Sequence, residues 1–204
     1  MSIRLHSRDL PDDADFGESV AIDTETLGLV PHRDRLCLVQ LSRGDGSADI
    51  VQIAPSQTKA KNLERILADP AVTKLFHFAR FDIAVLHKTF GVMAAPLYCT
   101  KIASKLARTY TDRHGLKDLA RELLGLEISK QQQSSDWGAE TLTDAQLAYA
   151  ASDVLHLHAL RGRLDAMLKR EGRLDMAAAC FAFLPARARL DLLGWEGVDI
   201  FSHD

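Results

Sequence analysis

The chain has 204 residues, 47% of them apolar and 26% charged, with a net charge of −3. That is an ordinary globular composition and length for one generous domain or at most two small ones, and it excludes global disorder, collagen-like repeats and a coiled coil. It also excludes a global basic field, so any contact with nucleic acid must come from a local site.

The N-terminus, MSIRLHSRDLPDDADF, holds no apolar run of signal-peptide length. No stretch reaches the ~18–20 apolar residues of a membrane-spanning helix, so no membrane partner is expected. Ser19–Thr24 (SVAIDT) is a short β-branched apolar run that ends in acids. Leu36–Leu41 and Asp49–Ile53 read as two further strands, with Gly44-Asp45-Gly46 as a hairpin turn between the last two. The chain therefore opens with an antiparallel meander. The period then changes. Lys59–Ala68 is predicted helical and Asp69-Pro70 stops it. Val72–Phe76 is a strand, and Phe81–Phe90, Lys101–Arg108 and Leu116–Leu124 are helices. Thr143–Leu168 is the longest helix, with Thr143 as its cap. Three strands, then alternating helix and strand, then helices give an α/β class with a mixed sheet. Residues 177–204 are too apolar for a free tail and must pack on the core or on another subunit. Cys37, Cys99 and Cys180 are scattered and odd in number, which argues against zinc and disulfides and fits a reducing cytoplasm.

Four carboxylates stand out. Asp23 and Glu25 are two residues apart on a strand, so they face the same side. Asp82 lies near the start of a helix. Asp153 sits inside the long helix among Ala150, Ala151 and Val154, with Tyr149 one turn earlier on the same face. Taken singly, each has a plain alternative: a solvated strand end, a helix start favoured by the dipole, an exposed polar stripe. Together, four acids on separate apolar elements would repel unless a cation joins them. A site of carboxylates without Cys or His suits Mg²⁺ or Mn²⁺. Two such ions about 3.5–4 Å apart clamp the attacking and leaving oxygens of a phosphodiester. A nearby phenol would orient or deprotonate the attacking water.

AIDTETLGL (21–29), HFARFDIAVL (77–86) and YAASDVLHLH (149–158) resemble the three exonuclease motifs of the DEDD superfamily in its tyrosine subtype. HGLKDLA (114–120) and SKQQQSSDW (129–137) are similar to the ribonuclease D-type connection between the second and third motifs. Nearly the whole chain, including PHRDRLC (31–37) and the LDLLGW…DIF ending, resembles the nano-RNase C group of compact oligoribonucleases. One departure is visible: proofreading members of the superfamily carry Asn where this chain has Phe78.

The resemblance implies an RNase H-like fold over one exonuclease domain, residues 1–204. That fold is a mixed five-stranded sheet, antiparallel meander plus parallel strands, flanked by helices, with a C-terminal helical extension. It implies that 177–204 serves packing or oligomerisation, in a homo-oligomer that is an octameric ring in that group. It implies two divalent metal ions, Mg²⁺ or Mn²⁺, held by Asp23, Glu25, Asp82 and Asp153, with Tyr149 orienting water. The reaction would be 3′–5′ hydrolysis of very short RNA, dinucleotides, to 5′-mononucleotides, with single-stranded DNA as a second candidate substrate. A general ribonuclease D-like enzyme trimming longer RNA or DNA ends is the alternative, and an inactive nucleic-acid-binding scaffold is another.

Leu27, Gly28 and Leu29 follow the first motif. Leu29 is expected to wedge against the terminal bases and Gly28 to let the backbone approach the nucleotide. From Lys101 to Lys130 there are seven bases against four acids, while residues 11–25 carry six acids and no base. Within that basic run Arg108, Arg113 and His114 are expected to cap a 5′ phosphate. Lys130, Gln133 and Ser134 in the following polar loop, and His77 beside the second motif, complete the expected substrate contacts.

Overall fold

The computed structural model describes residues 2–129, 131–132 and 134–203. Six strands form one sheet: β1 (Ser2–Ser7), β2 (Ser19–Thr26), β3 (Leu36–Ser42), β4 (Ser47–Gln52), β5 (Thr73–Phe76) and β6 (Leu97–Cys99), in the order β1-β4-β3-β2-β5-β6. β2, β3 and β4 are the expected antiparallel meander. β5 and β6 extend it in parallel on the β2 side. The apolar run LCLVQLS makes β3 the buried centre of the sheet.

The sheet has six strands rather than five. The added edge strand β1 pairs in parallel with β4. Its residues SIRLHS are mostly exposed. It is held by two Arg4 bonds of 2.7 Å to Asp49 and by His6, also 2.7 Å from Asp49. An edge strand with one solvated face and charged side chains carries little apolar signal of its own.

Among the described residues seven α-helices flank the sheet: α1 (Lys61–Ala68), α2 (Ala79–Phe90), α3 (Thr100–Ala107), α4 (Leu116–Leu119), α5 (Asp144–Leu155), α6 (Leu157–Arg170) and α7 (Leu174–Leu190). α1 starts two residues later than expected because its free N–H groups are met from outside: Asp9 accepts from the amides of Asn62 (2.9 Å) and Leu63 (3.0 Å). α4 runs into a π-helical turn over Ala120–Leu124. The expected long helix 143–168 is broken at His156. α5 buries Ala150, Ala151 and Val154, and α6 buries Leu157, Leu160, Leu164 and Leu168. One apolar stripe runs through both, so no Gly or Pro marks the break. Thr143 does cap α5. Its hydroxyl accepts from the Gln146 amide (3.2 Å) and the Gln146 side chain accepts from the Thr143 amide (3.0 Å), a reciprocal capping box. Among the described residues no helix is long and apolar enough to cross a membrane.

The C-terminal segment does two things. α7 packs on the core through Ala177, Phe181, Leu184 and Ala188, with the Phe181 ring 4.7 Å from that of Tyr98. Beyond it Leu193, Trp195, Ile200 and Phe201 remain exposed. The two halves meet at Asp191, which is buried and accepts from Arg80 on α2 and from Arg187, both at 2.7 Å. Arg80 also donates to the Glu196 carbonyl. Asp191→Ala leaves two guanidinium groups facing each other. It is expected to cost about 2–3 kcal/mol, less than a fully buried pair because Arg80 is one-third exposed. Urea unfolding with limited proteolysis checks this: the midpoint falls and residues 191–203 are cut first. An unchanged midpoint would show that the clamp contributes nothing.

Candidate active site

β2 has antiparallel β3 on one side along most of its length, but parallel β5 only as far as Ala21, which pairs with Leu75. β5 ends at Phe76 and the chain turns away into α2. The carboxyl end of β2 is therefore left open on one side, where the strand order changes direction. Such switch points are where α/β sheets bind ligands. Alternation then sorts the side chains. Asp23 and Glu25 face α5, where they meet Asp153. One carboxylate oxygen from each of the three lies within 4.8 Å of the others. Thr24, between them, faces the opposite way. Its hydroxyl donates 2.6 Å to Asp82 on α2, and both groups are buried. The fourth acid thus reaches the centre from the other face of the strand, with one oxygen engaged by Thr24.

Tyr149 stands beside Asp153 with its ring 5.9 Å from the buried Trp137 ring. Gln40 is the cross-strand partner of Asp23 and is fully buried, and its amide makes no hydrogen bond to the described residues. Thr24 and Gln40 escaped the sequence reading. Thr24 was the unremarked middle residue of the first motif, and Gln40 became a neighbour of Asp23 only through the strand register.

The electrostatics are those of a site short of positive charge. Desolvation, then the charges of Asp82, Asp153 and Glu25, pushes the Asp23 carboxyl well above its usual range. Desolvation and the same neighbours raise Glu25 to about 9. Burial raises Asp82 and Asp153 to about 7 each, with the Thr24 hydroxyl opposing the rise at Asp82. The Tyr149 phenol is raised by burial and by the charges of Asp153, Glu25 and Asp23, so it holds its proton at neutral pH. Three oxygen donors converging without a fixed cation fit a hard divalent ion, and nothing in the donor set suits a soft metal.

The expected substrate residues fall into two groups. In the first, Leu29 is strongly exposed and Leu27 is half-exposed against Gly138. At Gly28 a Cβ would sit 2.2 Å from Asp34 Oδ2, a constraint the sequence did not reveal. The close approach is made by the loop's own carboxylate, which accepts from the Val30 amide at 2.9 Å.

In the second group, His77 lies two residues before α2. His77 Nδ1 is 2.8 Å from the Thr100 hydroxyl, and burial with Lys101 nearby holds the ring neutral, down to about 3. Arg108 departs from expectation. Its side chain is fully buried, donating to Ser104 (3.0 Å), the Arg113 carbonyl (2.7 Å) and Glu122. It shapes the 108–114 turn from beneath and is not free to contact phosphate at the surface. The Ser104 hydroxyl accepts from Arg108 and lies 2.9 Å from His114 Nδ1. Arg113 and Ser134 are exposed. Lys130 and Gln133 lie outside the described residues. Phe78 and Lys101, which join the two groups, were not singled out as substrate contacts. The Lys101 ammonium lies 4.5 Å from the Phe78 ring centre.

The raised carboxyls carry a pH signature. Folded values above the unfolded value of about 4 mean that these four carboxyls bind more protons in the metal-free folded chain than in the unfolded one between about pH 4 and about pH 9. Their contribution to stability therefore falls as pH rises through that window, while the lowered His77, His114, His156, His158 and Lys74 act in the opposite sense. With EDTA present, the Tm of Asp23→Asn relative to wild type is expected to climb from about pH 5 to about pH 9, because the variant removes one of the opposed charges. A Tm difference that stays constant or shrinks over the same range would contradict the electrostatics.

Known proteins are similar to this chain in sequence and fold. Residues 8–169 match the model of a 3′–5′ exonuclease family. Ribonuclease D of Gluconacetobacter diazotrophicus is 40% identical over 174 residues, 84% of this chain and 44% of that protein. The chain thus spans less than half the length of that curated relative. Escherichia coli RNase D superposes with a TM-score of 0.79 at 26% identity, covering 93% of this chain and 51% of that one. Brucella melitensis NrnC is similar along 100% of both chains, in a structure with bound Mg²⁺ (59% identity, TM-score 0.96) and in one bound to pGG (60%, 0.97). The chain belongs to the DEDD 3′–5′ exonucleases, in the ribonuclease D-like group that includes NrnC.

Proposed function

We propose that this protein is a metal-dependent 3′–5′ exoribonuclease that hydrolyses very short RNA, dinucleotides above all, to 5′-mononucleotides. The observation that carries the reading is the convergence of Asp23, Glu25 and Asp153 within 4.8 Å beside Tyr149. The pGG bound to the similar NrnC, and Mg²⁺ in another structure of that protein, support the substrate and metal classes. Asp23, Glu25 and Asp153 would hold a divalent ion, and Asp82 would help to hold a second. Bound Mg²⁺ or Mn²⁺ supplies Lewis acidity and a water of lowered pKa. Tyr149, which keeps its proton, orients the attacking water. The water oxygen bonds to phosphorus and gives up a proton to solvent, the bond to the 3′ oxygen breaks, and that oxygen takes up a proton from solvent as the 3′-terminal nucleotide leaves with its 5′ phosphate. Thr24 steadies Asp82 through its hydroxyl.

Length selection needs the far end of the substrate to be read. We assign the 5′ phosphate to Arg113, His114 and Ser134, with Lys130, Gln133, His77 and Lys101 as further contacts. Arg108 contributes by holding the turn. Residues 1–204 act as one exonuclease domain in the reducing cytoplasm. The exposed Leu193, Trp195, Ile200 and Phe201 bury against a second copy, each worth about 1.5–3 kcal/mol when covered.

The test is kcat/KM on 5′-phosphorylated RNA two-mers and seven-mers with Mg²⁺ or Mn²⁺, for wild type, Asp153→Asn and Tyr149→Phe. Wild type should prefer two-mers. Asp153→Asn should be inactive, and Tyr149→Phe should lose ~10²–10⁴-fold in kcat with metal binding retained. A preference for seven-mers, or indifference to the 5′ phosphate, would make the chain a general ribonuclease D-like trimming enzyme. Metal-independent binding without hydrolysis would make it a scaffold. Light scattering at micromolar concentration checks the assembly. A multiple of the 22.5 kDa chain mass is expected, and a monomer would refute it.

A further inference from the structure

Gln40 breaks the rule that buried polar groups find partners. It is fully buried within β3, and both ends of its side-chain amide, Oε1 and Nε2, are without a hydrogen bond among the described residues. A buried polar group left this way costs about 1–3 kcal/mol, which an apolar side chain of the same size would avoid. The strand around it, LCLVQLS, is otherwise apolar but for its last residue, so packing gives no reason for an amide here.

The sheet register says what the amide is for. Gln40 lies directly opposite Asp23 on β2 and Ile50 on β4. Directly paired residues share a face, so Gln40 stands on the side of the sheet that carries Asp23 and Glu25. The other neighbours on that face have nothing to offer it. Ile50 and Leu38 are apolar. Ser42 donates to the Ser47 carbonyl at 2.7 Å, and Gln52 donates to the carbonyls of Ala139 and Glu140. α5 packs over this face and buries Ala150, Ala151 and Val154, which bring no polar side-chain atom. Its buried Gln146 is engaged by Thr143 and by the Asp136 carbonyl. The acids of the centre are what remain, and Asp23 is the one in register. Paired side chains have Cβ atoms about 4.5–5.5 Å apart, so a turn about the Gln40 torsions brings an amide N–H to the Asp23 carboxylate.

We propose that Gln40 is a positioning residue for Asp23. Its amide N–H donates to one Asp23 carboxylate oxygen when a divalent cation is held, and so keeps the other turned toward the cation. The inference rests on the exonuclease reading above and adds to it a residue that touches neither substrate nor metal. Carboxylates that ligate metals are themselves hydrogen-bonded, and loss of such an outer partner costs about 10–100-fold in metal affinity or activity. Thr24 plays this part for Asp82 from one face of β2. Gln40 supplies it for Asp23 on the other face, from the neighbouring strand.

The experiment compares wild type with Gln40→Met and Gln40→Leu, which replace the amide by apolar side chains of similar size. It uses Mn²⁺ titration calorimetry without RNA, Tm in EDTA, and kcat and KM on 5′-phosphorylated dinucleotides at limiting and saturating Mn²⁺. Both variants should bind Mn²⁺ about 10–100-fold more weakly. Their Tm in EDTA should match or exceed that of wild type, because the unpaired amide is gone. At limiting Mn²⁺ kcat should fall, and about 10–100-fold more Mn²⁺ should restore it, with KM for RNA unchanged. A packing role would do the reverse, lowering Tm in EDTA in both variants and leaving Mn²⁺ affinity alone. Either of those results, or a kcat loss that excess Mn²⁺ does not restore, would overturn the proposal. A wild type that binds Mn²⁺ but hydrolyses no RNA would overturn the exonuclease reading itself, and the calorimetry would still decide the role of Gln40.

Discussion

Like charges brought together at the open end of a strand are the condition that the rest of this molecule serves. Asp23, Glu25 and Asp153 repel one another, and desolvation by the surrounding protein worsens it. Among the described residues no side chain of opposite charge answers them. Only a rigid frame can hold such a cluster ready, and each part of the frame is visible. β3 is buried on both faces and anchors β2. α5 is fixed at its start by a capping box and along its length by Ala150, Ala151 and Val154, so Asp153 and Tyr149 have little freedom to retreat. The centre is a place where folding free energy is spent on preorganisation for a cation.

Elsewhere the chain treats buried charge in the opposite manner. Asp49 meets Arg4 and His6, Asp191 meets Arg80 and Arg187, and Arg108 meets Glu122, a hydroxyl and a carbonyl. Lys74 is fully buried with its ammonium on the carbonyls of Asp69 (2.5 Å) and Ala95 (2.6 Å). Those groups staple an edge strand, a C-terminal segment, a turn and a loop. The contrast separates the two uses of charge. Where a charge is satisfied internally it holds the fold, and where acids are left facing one another they await a ligand.

Much was legible in the sequence. The antiparallel meander and the helix periods were plain from apolar spacing, and the carboxylates stood out because each interrupts an apolar element. The edge strand β1 was missed because its stabilisation lies in Asp49, some forty residues away, and not in its own pattern. The break at His156 was missed because the buried stripe passes through it without a change of period. Arg108 was misread because a basic residue in a basic stretch looks solvent-facing until the neighbours that bury it are known.

By itself the sequence determined the class of fold, the order of its elements and the identity of the acids, because periodicity and residue chemistry are local properties. The tertiary structure alone decided which face each acid presents. It set Asp82 against Thr24 across the strand from Asp23 and Glu25. It turned Gly28 into room for Asp34, buried Arg108 and set Gln40 opposite Asp23. Those outcomes depend on strand register, on where β5 ends and on which helix lies over which face. They follow from contacts between residues far apart in the chain, which no local pattern encodes.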